Sequence, residues 1–150
     1  MTDNATQLTF EPAYHGADGY HDPHEDLASA GLRQAGDAII VIDRQGIIRE
    51  WNSKCAELFG YTAEEALGHD VKLLIPERLR DAHDEAFHKA MEQGHLSSDG
   101  HPRRTKAITA SGEPVYVVMT FAVINEDGTP ATPALGSVAV ARRHVRGEAV

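Results

Sequence analysis

A long amphipathic stretch at residues 76–94 constrains this chain more than any other feature. Pro76 suits the first turn of a helix, and Gly94 suits its C-terminal end. Between them, small or apolar side chains recur at helical spacing, with one histidine among them: Leu79, Ala82, His83, Ala86, Phe87, Ala90 and Met91. This pattern predicts a helix that packs on a core and carries His83 on its buried face.

Five other segments have the pattern of β-strands. They are residues 38–43, 47–51, 103–110, 115–124 and 134–141. The first is rich in β-branched side chains, and the second follows it after a short turn, so the two predict a hairpin. The fourth is the strongest strand of the chain and alternates strictly, which places Met119 and Phe121 on one face.

Short helices are predicted between the second and third strands. Asn52 suits the N-cap of one of them, and Thr62 with Glu65 has the spacing of a capping box for the next. The order of elements predicts an α+β domain, in which a five-stranded antiparallel sheet has its helices inserted between strands 2 and 3. A pocket between the sheet and the long helix follows, and His83 is expected to point into it.

The length and composition fit a single globular domain. The chain has 150 residues, of which 41% are hydrophobic and 25% are charged, which is enough for one core. We expect a flexible N-terminal arm at residues 1–24 and an N-terminal helix or cap at residues 25–36. The main domain is predicted at residues 37–143, and a C-terminal tail at residues 144–150.

Charge and cysteine content narrow the possible classes of protein. The net charge of −9 disfavours nucleic-acid binding, and no apolar run approaches the roughly 20 residues of a membrane span. The single cysteine, Cys55, allows no internal disulfide and, without a signal peptide, predicts a cytoplasmic protein. No nucleophile–base pair, paired carboxylates or phosphate-binding loop stands out, so an enzyme is not expected.

Several segments, in their order along the chain, carry a resemblance to a known family. They are DAIIVIDRQGIIREWN at 37–52, ELFGYTAEEALG at 57–68, IPERLRDAHDEAF at 75–87, SGEPVYV at 111–117 and GSVAVARR at 136–143. Through them the chain resembles a PAS domain over about residues 28–143. The resemblance implies the PAS fold and a sensory, dimerising module rather than an enzyme.

The segment RDAHDEAF resembles, more narrowly, the proximal helix of the heme-binding PAS subfamily, the oxygen sensors of rhizobial histidine kinases and of a bacterial phosphodiesterase. The resemblance implies heme b, with His83 as an iron ligand and His101 as a second one. It also implies that Arg103, which stands 20 residues after His83, contacts bound oxygen or a propionate. The apolar side chains expected around the cofactor are Phe87, Met119, Phe121, Val138 and Val140.

Two functions therefore stay open at the level of sequence. In the first, the domain senses a diatomic gas or redox state through heme. In the second, a PAS module without heme binds another small ligand or none. It then acts as a homodimer, through a partner protein or through an effector domain absent from this chain. The apolar stretch at residues 27–32 is a candidate for the dimer interface. The blue-light flavin subfamily is set aside, because its reactive-cysteine motif is absent and Cys55 lies on a different helix.

Overall fold

The computed structural model describes residues 23–96, 100–126 and 134–149. Residues 1–22 of the predicted arm at 1–24 lie outside the described residues, and residues 23 and 24 begin the first helix. The α-helices are α1 (Pro23–Gln34), α2 (Ser53–Phe59), α3 (Ala63–Ala66) and α4 (Arg80–Gln93). The strands are β1 (Ala38–Asp43), β2 (Ile48–Trp51), β3 (Arg103–Ile108), β4 (Pro114–Ile124) and β5 (Gly136–Arg143). Two 3₁₀ turns, Val71–Leu74 and Glu77–Leu79, lead into α4. Within these residues, no helix is long and apolar enough to cross a membrane.

The strands form one five-stranded antiparallel sheet in the order β2-β1-β5-β4-β3. The predicted α+β architecture, with the helices between strands 2 and 3, is confirmed. The last strand enters the centre of the sheet, between β1 and β4. Gly136 begins β5 so close to the Ile42 carbonyl that a Cβ there would clash with it, which explains a glycine at this point.

One end of the sheet packs closely against α2. Asn52 caps this helix, as predicted, and is itself only 4% exposed. Its side-chain oxygen accepts hydrogen bonds from the backbone N–H groups of Cys55 and Ile39, both at 3.1 Å. Its amide nitrogen donates to the carbonyls of Leu32 and Asp37 at 2.9 and 3.0 Å. One buried amide therefore ties α1, β1 and α2 together.

Helix α4 packs less completely than its pattern predicts. It ends at Gly94, which adopts the left-handed conformation at φ +75° that favours glycine. Ala90 and Met91, in its last turns, are buried, whereas Ala82 and Ala86 are exposed. The expected buried stripe is therefore correct only for the C-terminal half of α4. Both halves of α4 border a cavity, through His83 and Ala86 in the first half and through Phe87, Ala90 and Met91 in the second.

Candidate ligand-binding site

A cavity of about 290 Å³ lies between α4 and the inner face of the sheet. Its walls are mainly apolar, with Ile40, Ile42, Leu74, Phe87, Met91, Met119, Phe121 and Val123 among the side chains that line it. A few polar residues also line it, namely His83, Arg103, Thr105, Lys106 and Ser137. An apolar cavity with a small number of polar groups is the usual composition of a small-molecule site.

His83 contributes the imidazole of this cavity from the second turn of α4. Its side chain is 31% exposed, yet its Nδ1 atom is buried and has no hydrogen-bond partner among the described residues. The ring lies parallel to that of Phe87, with 6.2 Å between the centroids and 4° between the planes. A buried ring nitrogen without a partner is uncommon, and it marks a position that packing alone does not explain.

Three charged side chains lie near His83, one of them on α4 and two at the 3₁₀ turn Val71–Leu74. The Asp84 Oδ1 atom is 3.8 Å from Nδ1 of His83, which is an electrostatic contact but too long for a hydrogen bond. Lys72 holds the other oxygen of Asp84 at 3.3 Å and lies 3.9 Å from Asp70. These ionic contacts hold the Asp84 carboxylate beside the imidazole and connect α4 to the 3₁₀ turn Val71–Leu74.

The protonation of His83 follows from its burial. Loss of solvent lowers the pKa of His83 below its ordinary value of 6.5, although the negative charge of Asp84 pulls in the opposite direction. The imidazole is therefore neutral at pH 7, and a neutral imidazole has a lone pair available for a metal or a hydrogen-bond donor.

Arg103 approaches the cavity from the opposite wall. It is the first residue of β3, paired with Met119 of β4, and it is exposed while still lining the cavity. Its guanidinium therefore sits where the cavity meets solvent. A ligand that carries a carboxylate could pair with it there without burying the charge.

The structure brings most of the predicted site residues to one cavity, namely His83, Phe87, Arg103, Met119 and Phe121. Val138 and Val140 are a correction, because neither lines the cavity. Side chains alternate along β5, and Ser137 and Ala139 face the cavity in their place. His101 is also outside the lining residues, and it is exposed just before β3 begins.

Sequence reasoning missed three polar residues of this site. Thr105 follows Arg103 by two positions on β3, so the period of a strand could have identified it. Ser137 could be assigned to the cavity only after the structure showed which side chains of β5 face it. Lys106 lines the cavity from the edge strand, and no pattern in the sequence indicates this.

The described residues contain no group of three or more histidine, cysteine or acidic side chains able to hold a bare metal ion. Among the described residues that line the cavity, His83 provides an imidazole. A neutral imidazole that would bind iron, apolar walls that would contact the ring and a guanidinium at the rim that would pair with a carboxylate together match the chemistry of heme. The residues present thus fit this group.

Comparison with known proteins agrees with this geometry. The family described as the PAS fold matches residues 27–132. The sensor protein FixL of Bradyrhizobium diazoefficiens is 46% identical over 53 residues, covering 35% of this chain and 10% of that protein. The oxygen sensor protein DosP of Escherichia coli is 25% identical over 89 residues, covering 59% of this chain and 11% of that protein. The chain thus spans about a tenth of the length of each of these relatives.

Solved structures show the same fold at lower identity. A PAS domain from Colwellia psychrerythraea has a TM-score of 0.63 at 22% identity, over 82% of this chain and 98% of that one. The LOV protein of Rhodobacter sphaeroides has a TM-score of 0.63 at 17% identity, over 85% of this chain and 70% of that one. A PAS domain in complex with ethanol, from a LuxR-family transcriptional regulator of Burkholderia thailandensis, has a TM-score of 0.57 at 13% identity, over 76% and 94% of the two chains.

Proposed function

We infer the function of this chain first from its family, because it belongs to the PAS family and is a sensory domain of that family. We propose that it binds heme b in the cavity under α4, with His83 as the protein ligand of the iron. The observation that carries the proposal is the neutral, partly buried imidazole of His83 in an apolar cavity, with Arg103 at its rim. The identity with FixL and DosP adds support, since both are named as sensors.

The nitrogen that would bind iron follows from the charges on α4. Metal-ligating histidines usually donate their other ring N–H toward a carboxylate, a carbonyl or water. The Asp84 carboxylate, held in place by Lys72, lies 3.8 Å from Nδ1 of His83 and would accept this N–H if the two groups moved closer. This leaves Nε2 as the nitrogen for iron. Heme, when bound, supplies an iron that can take a diatomic gas or change its redox state.

Arg103 would hold the cofactor from the other side. Its guanidinium can pair with a propionate, or donate hydrogen bonds to a diatomic ligand that carries partial negative charge. His101 lies outside the cavity lining. Its role as a second iron ligand remains a prediction. Arg103 on β3 and Met119 on β4 would link a bound cofactor to the sheet, because both residues line the cavity.

A second candidate function rests on the size of the cavity. At about 290 Å³ it is at the lower end of the range for small-molecule sites, which suits a ligand smaller than a porphyrin. One PAS domain of the same fold is described as a complex with ethanol. In this alternative, His83 would hydrogen-bond a small polar ligand.

We also propose that the domain acts as a homodimer through α1 and signals to a partner protein or an effector domain. Leu27 on this helix is 46% exposed, whereas Ala30 on the same helix is buried. An exposed leucine on an amphipathic helix is a suitable contact for a second copy. Light scattering on the purified chain tests this, and Leu27→Glu should shift a dimer to monomer.

The heme proposal is tested by absorption spectroscopy during titration with hemin, followed by reduction. Wild-type protein should develop a sharp Soret band with a saturating, equimolar end point. His83→Ala should lose the band of the histidine-ligated form. The matched control is His88→Ala, on the exposed side of the same helix, which should behave like wild type. A second imidazole from His101 would give a six-coordinate spectrum, and His101→Ala would convert it to a five-coordinate one.

Two results would reject the proposal. One is the absence of any specific Soret band with added hemin. The other is a His83→Ala spectrum identical to that of wild type. In the first case, thermal stabilisation by small apolar alcohols, lost in a cavity-filling Ala139→Phe variant, would support the small-ligand alternative.

A further inference from the structure

A second concave surface lies outside the cavity and has a different chemical character. It is an open groove of about 460 Å³ lined by Arg104 of β3, Tyr116 of β4, and Arg143, His144 and Arg146 at the end of β5 and just beyond it. We call it the basic groove. The two sites share strands but no lining residue.

The charge of the basic groove opposes that of the chain as a whole. Residues 1–100 contain 19 acidic side chains and 8 lysines and arginines, a net charge of −11. Residues 101–150 contain 4 acidic side chains and 6 lysines and arginines, a net charge of +2. Half of those six basic residues converge on the groove. The basic groove therefore lies in the part of the chain that carries a net positive charge, and strands β3, β4 and β5 contribute to it.

The three arginines of the basic groove have no ionic partner within the described part of the chain. None of the ion pairs there involves Arg104, Arg143 or Arg146. The acid next to them in sequence, Glu148, is bound by Arg142 instead. This contact holds the pKa of Glu148 at about 2, so its charge stays with Arg142. Three arginines therefore line one groove without a counter-charge from the described residues.

Apolar surface accompanies these charges. The guanidinium of Arg104 lies over the ring of Tyr116 at 5.2 Å from its centroid, and the Tyr116 side chain is still 45% exposed. Val145, between His144 and Arg146, is 63% exposed. Tyrosine and arginine are the residues enriched at protein interfaces, and exposed side chains around an open groove suit a polypeptide better than a small ligand, which requires enclosure.

We propose that the basic groove is a docking surface for an acidic polypeptide segment of a partner protein. Carboxylates of that segment pair with Arg104, Arg143 and Arg146, and an apolar side chain packs on Tyr116 and Val145. The groove lies on the same strands as the cavity, because β4 contributes Met119 to the cavity and Tyr116 to the groove. A partner bound in the basic groove therefore contacts the same strands that line the cavity. This holds whichever ligand the cavity binds.

The test is fluorescence anisotropy with a labelled synthetic peptide of alternating glutamate and leucine. Wild-type protein should bind it with an affinity that falls as salt is raised, because exposed charges are screened. The triple variant Arg104→Gln, Arg143→Gln, Arg146→Gln should bind about 10-fold more weakly or worse. The matched control is Arg44→Gln, Arg78→Gln, Lys89→Gln, which removes the same charge at exposed positions elsewhere and should bind like wild type. The peptide with glutamine in place of glutamate should not bind.

Four outcomes would overturn the proposal. They are no binding of the acidic peptide, equal weakening in both triple variants, displacement of the peptide by inorganic phosphate at constant ionic strength, and tighter binding to phosphatidylserine vesicles that the groove variant alone loses. The third would indicate a small-anion site, and the fourth a lipid surface. Circular dichroism melting checks the fold of each variant. If the triple variant fails to fold, Arg146→Gln alone should weaken peptide binding by about 2- to 5-fold, and an unchanged affinity would contradict the proposal.

Discussion

The two ends of this sheet differ in how completely the space beside them is filled. At one end, Trp51, Asn52 and Phe59 form a closed core, in which Phe59 is fully buried and the Trp51 N–H donates to the Tyr61 carbonyl at 2.9 Å. At the other end, α4 covers a cavity of about 290 Å³, and His83 has a buried nitrogen without a hydrogen-bond partner in the described residues.

The difference separates residues that stabilise the fold from residues available for function. Every polar group of the Asn52 side chain is used within the domain, so this residue has nothing left to offer a ligand. His83 differs from Asn52, because its Nδ1 atom is buried without a hydrogen bond to the described residues. Burial of this atom therefore costs free energy that no such bond offsets. Natural proteins retain such local conflicts mainly at functional sites.

The largest expected effect comes from making the same substitution at both ends. Phe59→Ala should lower the free energy of unfolding by about 3–5 kcal/mol, because it leaves a void in a closed core. Phe87→Ala should cost only about 1 kcal/mol, since Phe87 is half-buried and already borders a cavity. Urea denaturation measures both. Equal losses would mean that the two ends are packed alike.

Asn52→Ala should have the next largest effect. The substitution removes the partners of four backbone groups and should lower stability by about 2–4 kcal/mol, because buried backbone groups would lose their hydrogen bonds. Asn125→Ala serves as a comparison near the other end, where the side chain donates to the Gly94 carbonyl at 3.3 Å. We expect it to cost about 1 kcal/mol or less in the same assay. A cost for Asn52→Ala no larger than that of Asn125→Ala would contradict its role as the tie between α1, β1 and α2.

The closed end should also respond to alkaline pH through its buried thiol. Burial raises the pKa of Cys55 from 9.0 to about 11. Between these values the unfolded chain loses the thiol proton while the folded protein keeps it. Stability should therefore fall as pH rises from about 9 to 11. Denaturation curves of wild type and Cys55→Ala isolate this contribution, because the other alkaline groups are common to both. A parallel pH dependence in the two proteins would show that the thiol does not contribute.

The smallest expected effect is at His83 in the protein without ligand. His83→Leu removes a buried polar atom that has no hydrogen bond to the described residues, so stability should be unchanged or rise by up to about 1 kcal/mol. His88→Leu, at an exposed position one turn along, should be neutral. A loss of more than about 2 kcal/mol on replacing His83 would show that this residue has a structural partner in solution.

The order of elements could be predicted from the sequence because local signals were strong where packing was close. The caps at Asn52 and Thr62 form as their residue types indicate, and the alternation of β4 places Met119 and Phe121 on the cavity side. The facing of β5 could not be predicted, because its alternating residues, Val and Ala, are all apolar. The small residue Ala139 faces the cavity, and the larger valines face away.

The cavity itself could not be predicted in detail. The period of α4 indicates which side of the helix faces the sheet, but it contains no information on whether the space between them is filled. The sequence therefore does not indicate that Ala82 and Ala86 are exposed, or that His101 lies outside the lining. A spacing taken from related sequences fixes a residue's place along the chain and not its distance from a cavity.

Hydrogen–deuterium exchange with and without hemin tests the central claim most directly, namely that the functional site is the cavity under α4. Without hemin, α4 should exchange faster than α2, because α4 covers a cavity whereas α2 packs on the closed core. With hemin, protection should increase in α4 and in the cavity-lining parts of β3 and β4, while α2 stays unchanged. This protection should be absent in His83→Ala. Protection confined to other parts of the chain, or none at all, would contradict the assignment of this cavity as the ligand site.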